Sequence, residues 1–290
     1  MMGTITDATT EGRGAWVLVT GASSGIGRQL ALALPRHGYR VIATARRPDD
    51  LAELRRAGLQ AIALELADPA SVGEAAANVL ALCDGDLYAL INNAAYGQPA
   101  AVEDLSRAAL EAQFATNLFG THQLTQALLP ALRQGRGGRL IQISSILGRV
   151  AFPLQGAYNA SKFALEGLTD SLRLELRGSS VQVSLITPGP IRSAFRANAL
   201  AAFDARVDSQ TSPYAPLYRR VRGYYAASDH PTPFTADPAA VVRPVLHALQ
   251  ARRARPRYYV TLPAYVLALC RRLLPTRWLD ALLYQLGRQR

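Results

Sequence analysis

Tyr158 and Lys162 lie four residues apart in the stretch GAYNASKFALEGL, a spacing that sets both side chains on one face of a helix. A phenol beside an ammonium is an acid–base unit. The unperturbed tyrosine pKa is about 10, and a nearby positive charge favours the phenolate, bringing proton transfer toward neutral pH. Surface Tyr and Lys pairs at this spacing are common on helices, so the meaning of the pair depends on its company.

Near the N-terminus AWVLVT reads as a buried strand, runs directly into GASSGIG, and is followed by RQLALALPRHG with helical character. That order is strand, glycine turn, helix. Gly21, Gly25 and Gly27 let the backbone turn tightly and bring helix N–H groups against a pyrophosphate, where the helix dipole favours negative charge. Strands read at 15–20, 40–45, 61–65, 87–92, 139–145, 181–187 and 257–261 alternate with helical stretches. This alternation predicts an α/β fold with a doubly wound, seven-stranded parallel sheet. There is no Ser/Gly-rich linker, repeat or composition break, which favours one domain with a tail over two domains in these 290 residues. In such a sheet ligands sit beyond the carboxyl ends of the strands, where Gly21, Asn92, Ser145 and Thr187 all fall.

The glycines are spaced G-x-x-x-G-x-G, and TGASSGIG at 20–27 matches TGxxxGxG at every fixed position. INNA at 91–94, Asn117 in FATNLFG, ISS at 143–145, YNASK at 158–162 and TPGPI at 187–191 follow in order. With these motifs the chain resembles the short-chain dehydrogenase/reductase family over residues 15–261. The resemblance implies a Rossmann-type fold and hydride transfer between a nicotinamide cofactor and a carbonyl or alcohol. It implies a catalytic tetrad of Asn117, Ser145, Tyr158 and Lys162. Tyr158 would protonate a carbonyl oxygen, or deprotonate an alcohol in reverse. Ser145 would hydrogen-bond the same oxygen, an effect often worth about 3 kcal/mol. Lys162 would lower the Tyr158 pKa and hold the nicotinamide ribose, and Asn117 would hold a water linking the lysine to solvent. Ser144 rivals Ser145, and the family places the catalytic serine second in ISS.

The resemblance also implies a cofactor site: Gly21, Ser23, Ser24, Gly25, Ile26 and Gly27 at the turn, Asn92 and Ala94 after the fourth strand, and Pro188, Gly189 and Ile191 after the sixth. Tyr158 and Lys162 belong to it as well. Glu65 and Leu66 would face the adenine, with Glu65 standing where an aspartate is usual and Ala95 replacing the glycine of NNAG. At the end of the second strand, where an acidic residue commonly selects NAD, this chain has ATARR. Thr44 carries no charge to repel a 2′-phosphate, and Arg46 and Arg47 offer guanidinium forks suited to one. NADP(H) is therefore expected over NAD(H), with Arg46 the main contact.

Cys83 and Cys270 lack ligand-spaced partners, and His37, His122, His230 and His247 are scattered, so no disulfide framework or metal site is expected. The net charge of +11 comes from arginines spread along the chain without a nucleic-acid-binding motif. An anionic cofactor or an acidic membrane surface uses that charge more economically. Residues 1–14 are polar, are expected to be disordered, and carry no secretion signal, which points to the cytoplasm.

Residues 188–236 hold Phe195, Phe203, Tyr214, Tyr218, Tyr224, Tyr225 and Phe234. They read equally as a lid over an apolar or bulky steroid-, retinoid- or lipid-like substrate and as a subdomain with its own aromatic core. In the tail, 262–290, Leu279, Leu282, Leu283 and Leu286 trace an amphipathic helix behind Trp278. Docking on the domain, packing in a homo-oligomer and peripheral membrane contact are all open to it. The reading is an NADP(H)-dependent oxidoreductase. Its alternatives are an NAD-dependent alcohol dehydrogenase and a nucleotide-bound regulatory or scaffold protein without turnover.

Overall fold

The computed structural model describes residues 14–134, 137–226 and 234–288. Residues 1–13 of the segment expected to be disordered, and 227–233 of the aromatic stretch with His230, lie outside the described residues.

Branched apolar runs make the strands. β1 (Trp16–Val19) is buried at every position, as a strand covered on both faces must be. Alternate side chains separate to the two faces: Val17 and Val19 join a core with Leu30, Leu34 and Val245, while Trp16 and Leu18 join one with Val72, Leu124 and Leu128. The remaining strands, β2 (Arg40–Ala45), β3 (Gln60–Ala63), β4 (Leu87–Asn92), β5 (Arg139–Ile143), β6 (Gln182–Pro188) and β7 (Arg257–Val260), complete the sheet. All seven are parallel, in the order β3-β2-β1-β4-β5-β6-β7. The chain winds one way from β1 to β3 and then crosses back to β4. The crevice beyond β1 and β4 is therefore the switch point at which such sheets take ligands.

Between strands run α1 (Gly25–Ala33), α2 (Pro48–Arg56), α3 (Pro69–Leu82), α4 (Arg107–Phe114), α5 (Thr121–Gln134) and α6 (Gly156–Glu175). The Ser106 side chain caps α4 by accepting from the Ala109 N–H. α4 then passes through a π-helical segment, Ala115–Gly120, into α5. Gly120 is required there, because a Cβ would lie 1.9 Å from the Leu66 carbonyl oxygen.

After β6 come α7 (Phe195–Arg206) and α8 (Ala215–Ala226), which carry most of the aromatic stretch. Phe203 and Tyr218 meet edge to face at 5.1 Å and form a small core with Ala101 and Leu154, the Tyr218 hydroxyl donating to Asp104. Phe195, Tyr224 and Tyr225 face the large cavity instead, and Phe234 is exposed. α9 (Val242–Gln250) precedes β7.

The tail forms two helices where the sequence suggested one: α10 (Leu262–Leu273) and α11 (Thr276–Arg288), separated by Leu274 and Pro275. α10 escaped notice because its apolar residues occupy two faces, Leu262, Val266, Leu269 and Leu273 on one and Ala264 and Leu267 on the other, so that no single stripe against a polar face stands out. Leu279 and Leu283 of the expected stripe are buried against Ile146, Val150 and Phe152, which docks α11 on the domain. Leu282 is half-buried and Leu286 stays exposed, so the docked stripe is narrower than expected.

Candidate active site

The glycine turn after β1 depends on atoms that only glycine leaves free. Gly21 and Gly25 have φ of +66° and +54°, in the left-handed region, and a Cβ on Gly27 would lie 2.1 Å from the Gly21 carbonyl oxygen. Side chains from two neighbouring strands fix the turn. The Thr20 hydroxyl accepts from the backbone N–H groups of Asn93 (2.9 Å) and Ala94 (3.0 Å), and the Asn93 amide donates back to the carbonyls of Thr20 (2.9 Å) and Gly21 (3.1 Å). From β2 the Thr44 hydroxyl accepts from the Gly21 N–H at 3.3 Å. The result is a rigid cradle at the start of α1, shaped to fit a pyrophosphate against the helix N-terminus.

This cradle opens into a cavity of about 1130 Å³. Gly21, Ser23, Ser24, Gly25 and Ile26 line its first arm with Arg46, Arg47, Glu65, Leu66 and Ala94. Pro188, Gly189 and Ile191 line the opposite wall, and Ser145, Tyr158 and Lys162 lie at the inner end. Gly27 stands behind the turn rather than on its surface. Asn92 departs from the expected arrangement: its side chain is buried and donates to the Thr125 hydroxyl at 2.8 Å, while its neighbour Asn93 lines the cavity.

The two arginines after β2 differ in freedom. Arg47 makes a bidentate pair with Asp50, both contacts at 2.9 Å, at the start of α2. Arg46 is exposed at the rim and makes one looser contact, 3.4 Å, with Glu65. Arg46 is thus the readier of the two to take an added anion.

At the inner end, strand alternation sends the adjacent serines to different partners. Ser144 is buried and donates to Glu166 at 2.8 Å. Ser145 faces the cavity, accepts from the Leu147 N–H at 3.1 Å, and hydrogen-bonds the Tyr158 hydroxyl. Tyr158 and Lys162 come from successive turns of α6, and the Lys162 ammonium lies 5.9 Å from the centre of the Tyr158 ring while donating to the Ile143 carbonyl at 2.9 Å. Asn117, on the π segment, accepts from the Tyr96 N–H (3.1 Å) and donates to the Tyr96 carbonyl (2.9 Å) and the Ser161 hydroxyl (3.1 Å). It ties the loop after β4 to the catalytic face of α6.

The electrostatics differ from the sequence expectation on one point. Burial pushes the Tyr158 phenol up to about 12, outweighing the hydrogen bond with Ser145 that pulls it down. Lys162 does not bring it toward neutrality in this structure, because the ammonium is committed to the Ile143 carbonyl and is itself pushed down to about 8 by burial. The charge of Glu166, one turn further along α6, opposes that fall.

Comparisons with known proteins agree with this geometry. Residues 15–202 match the family model described as short chain dehydrogenase. The chain is 42% identical over 267 residues to the uncharacterized oxidoreductase YbbO of Escherichia coli, covering 92% of this chain and 93% of that one. This chain belongs to the short-chain dehydrogenase/reductase family.

Two solved members of the family superpose closely. One, from Burkholderia phymatum in complex with NAD, has a TM-score of 0.75 at 25% identity and covers 91% of this chain and 93% of its own. The other, from Burkholderia cenocepacia in complex with NADP, has a TM-score of 0.72 at 28% identity and covers 93% and 98%. The protein is thus an NAD(P)-dependent oxidoreductase. No described helix is long and apolar enough to cross a membrane, and the described residues hold no group of metal-ligating side chains.

Several contacts that shape this short-chain dehydrogenase/reductase site were not read from the sequence. Glu166 is buried beneath the site and gathers Ser144, Thr187 (3.5 Å), Arg257 (2.7 Å) and Arg149 (3.6 Å). Those partners span more than 100 positions of sequence. Phe195 meets the Tyr158 ring edge to face at 5.1 Å, and its approach requires Gly97, where a Cβ would lie 2.7 Å from the phenyl ring. Asn93 could have been found from the period-two alternation of β4, had the end of that strand been known.

Proposed function

We propose that this protein is an NADP(H)-dependent oxidoreductase that interconverts a carbonyl and an alcohol on an apolar or bulky substrate. The observation that carries the reading is the meeting of Ser145, Tyr158 and Lys162 at the inner end of a cavity with two unlike arms. One arm is the glycine cradle rimmed by Arg46. The other is walled by Ile146, Leu147, Phe152, Phe195, Tyr224 and Tyr225. A polar reacting end beneath an apolar wall favours a carbonyl compound with a large hydrocarbon body.

The nicotinamide, when bound, supplies or takes the hydride. Tyr158 donates its hydroxyl proton to the carbonyl oxygen during reduction and takes it back in oxidation. Ser145 donates a hydrogen bond to the same oxygen as negative charge grows on it. Lys162 would hold a ribose hydroxyl through its ammonium on leaving the Ile143 carbonyl, and only then would its positive charge ease proton release by Tyr158. Asn117 holds the loop at Tyr96 against α6 and serves the path by which the proton is replaced. Gly21 through Gly27 would hold the pyrophosphate, and Glu65 and Leu66 the adenine. Arg46 would pair with a 2′-phosphate through its planar fork, giving up its loose contact with Glu65.

The protein acts as a homo-oligomer through α5 and α6, whose neighbourhood leaves Phe119, Phe163 and Leu168 exposed. Both cysteines are free thiols, which supports a reducing, cytoplasmic setting. The reading is tested by following NADPH oxidation at 340 nm against apolar ketones and aldehydes, beside NADH and a Tyr158→Phe control. Turnover that prefers NADPH and is lost in the control supports it. Tight NADPH binding with no carbonyl reduced across a broad panel overturns it in favour of a nucleotide-bound regulatory protein.

A further inference from the structure

α10 is apolar on two sides, and only one of them is used inside the protein. Ala264 and Leu267 are buried against Ile146, Val150 and Phe152, and Pro263 and Leu267 line the large cavity. Leu262, Tyr265, Val266, Leu269 and Leu273 recur at the spacing of a second helical stripe, about 100° wide. Every one of them is exposed, from 47% at Val266 to 67% at Leu273. A soluble surface helix normally turns charged or polar residues outward at these positions. On α11, Trp278 is 69% exposed as well.

Arg272 borders this stripe and Arg277 follows beside Trp278 at the start of α11, both exposed, while Arg271 is exposed on the side of α10 that carries Ala264 and Leu267; Asp280 is the one acidic residue on the described parts of the two helices. An apolar stripe flanked by arginines and followed by an exposed tryptophan is the composition of a helix that lies in a membrane interface. A second copy of the chain is a poor occupant. Self-pairing of this face would set arginine against arginine in a protein of net charge +11. An anionic lipid surface meets the same face with opposite charge and a medium for the leucines.

We infer that the outer face of α10, with Trp278 and the adjacent arginines, is a docking surface for anionic membranes. The depth is that of one helix face, since no described helix is long and apolar enough to span. The other side of α10 forms part of the cavity wall, so docking would bring the bilayer, where a hydrocarbon-bodied carbonyl compound partitions, to within one helix diameter, roughly 10 Å, of the site. This last step rests on the proposed substrate class; the docking itself does not.

Co-sedimentation of the full-length protein tests it, with vesicles of phosphatidylcholine alone and of phosphatidylcholine mixed with phosphatidylglycerol. The wild type is expected to pellet with the mixed vesicles and not with phosphatidylcholine alone, and to be released by salt. Arg272→Gln with Arg277→Gln is expected to weaken binding roughly fivefold per arginine. Leu269→Ser with Leu273→Ser is expected to weaken it at least tenfold, since each exposed leucine contributes about as much as a buried one when it enters lipid. NADPH binding and thermal midpoint are followed in each variant as controls of folding. No pelleting of the wild type, equal pelleting on both vesicles, or unchanged pelleting of the leucine variant overturns the inference. Conversion of a larger oligomer to a smaller one by the leucine variant, without vesicle binding by the wild type, also overturns it and assigns the face to self-association. Because pelleting is read without turnover, vesicle binding by a protein that reduces no carbonyl would leave the docking surface standing and retire the substrate reading alone.

Discussion

Replacing the Lys162 ammonium by an apolar side chain should make the protein more stable while abolishing its chemistry. Lys162 is 3% exposed, and burial moves its pKa from the ordinary 10.5 to about 8. At neutral pH the residue is protonated in both folded and unfolded chains, so that displacement corresponds to about 3 kcal/mol of lost stability. Lys162→Met removes this cost and forfeits the hydrogen bond to Ile143, worth about 1 kcal/mol. The net gain is about 2 kcal/mol, or roughly 4 °C in thermal midpoint for a chain of this size.

The sign of the pH dependence isolates the charge. Between the folded pKa and the unfolded one the unfolded chain binds more protons, so wild-type stability from this group rises with pH across that window. About 2 kcal/mol is recovered by pH 9.5, and the advantage of Lys162→Met should vanish there. Thermal unfolding of both proteins without added nucleotide, followed by circular dichroism at pH 7 and pH 9.5, measures it. A variant less stable than wild type at pH 7, or a difference that stays the same at both pH values, would refute the reasoning.

Other substitutions separate roles that lie close together. Arg46→Ala should weaken NADPH binding roughly tenfold or more in a fluorescence titration and leave NADH unchanged, while Arg47→Ala, whose guanidinium is already paired with Asp50, should have a smaller effect. Ser145→Ala should lower kcat about a hundredfold with little change in thermal midpoint, whereas Ser144→Ala should retain turnover and lower stability by about 1–3 kcal/mol by removing a buried donor from Glu166. The reverse pattern would exchange the two serines. Gly27→Ala, with its Cβ driven against the Gly21 carbonyl, should lose nucleotide binding in the same titration; binding at wild-type affinity would show that the turn is softer than its contacts imply.

What could be read from the chain, and what could not, follows from how far each signal travels along it. β1 and β4 were legible because strands buried on both faces are continuous apolar runs, WVLV and LYALIN, and the glycine turn was legible because its φ values exclude other residues. Asn92 was expected at the cavity and Asn93 lines it instead, because one residue of register decides which of two neighbours faces the cavity. The π segment at Asn117 has no pattern of its own; its geometry is set by the approach of Gly120 to Leu66. Glu166 looked like one more charge on a long helix, since Arg149, Arg257 and Ser144 reach it only through the fold. The Tyr158 phenol was expected nearer neutrality because proximity to Lys162 is visible in the sequence and burial is not.

In the proposed reaction Tyr158 and Ser145 direct hydride transfer from a nicotinamide to a carbonyl carbon. It is tested most directly by supplying NADPH deuterated at the transferable position of nicotinamide C4 and analysing the alcohol by mass spectrometry. One deuterium is expected on the former carbonyl carbon, with formation slowed at least a hundredfold in Tyr158→Phe. Alcohol without deuterium, or product formed at the wild-type rate by Tyr158→Phe, would contradict it.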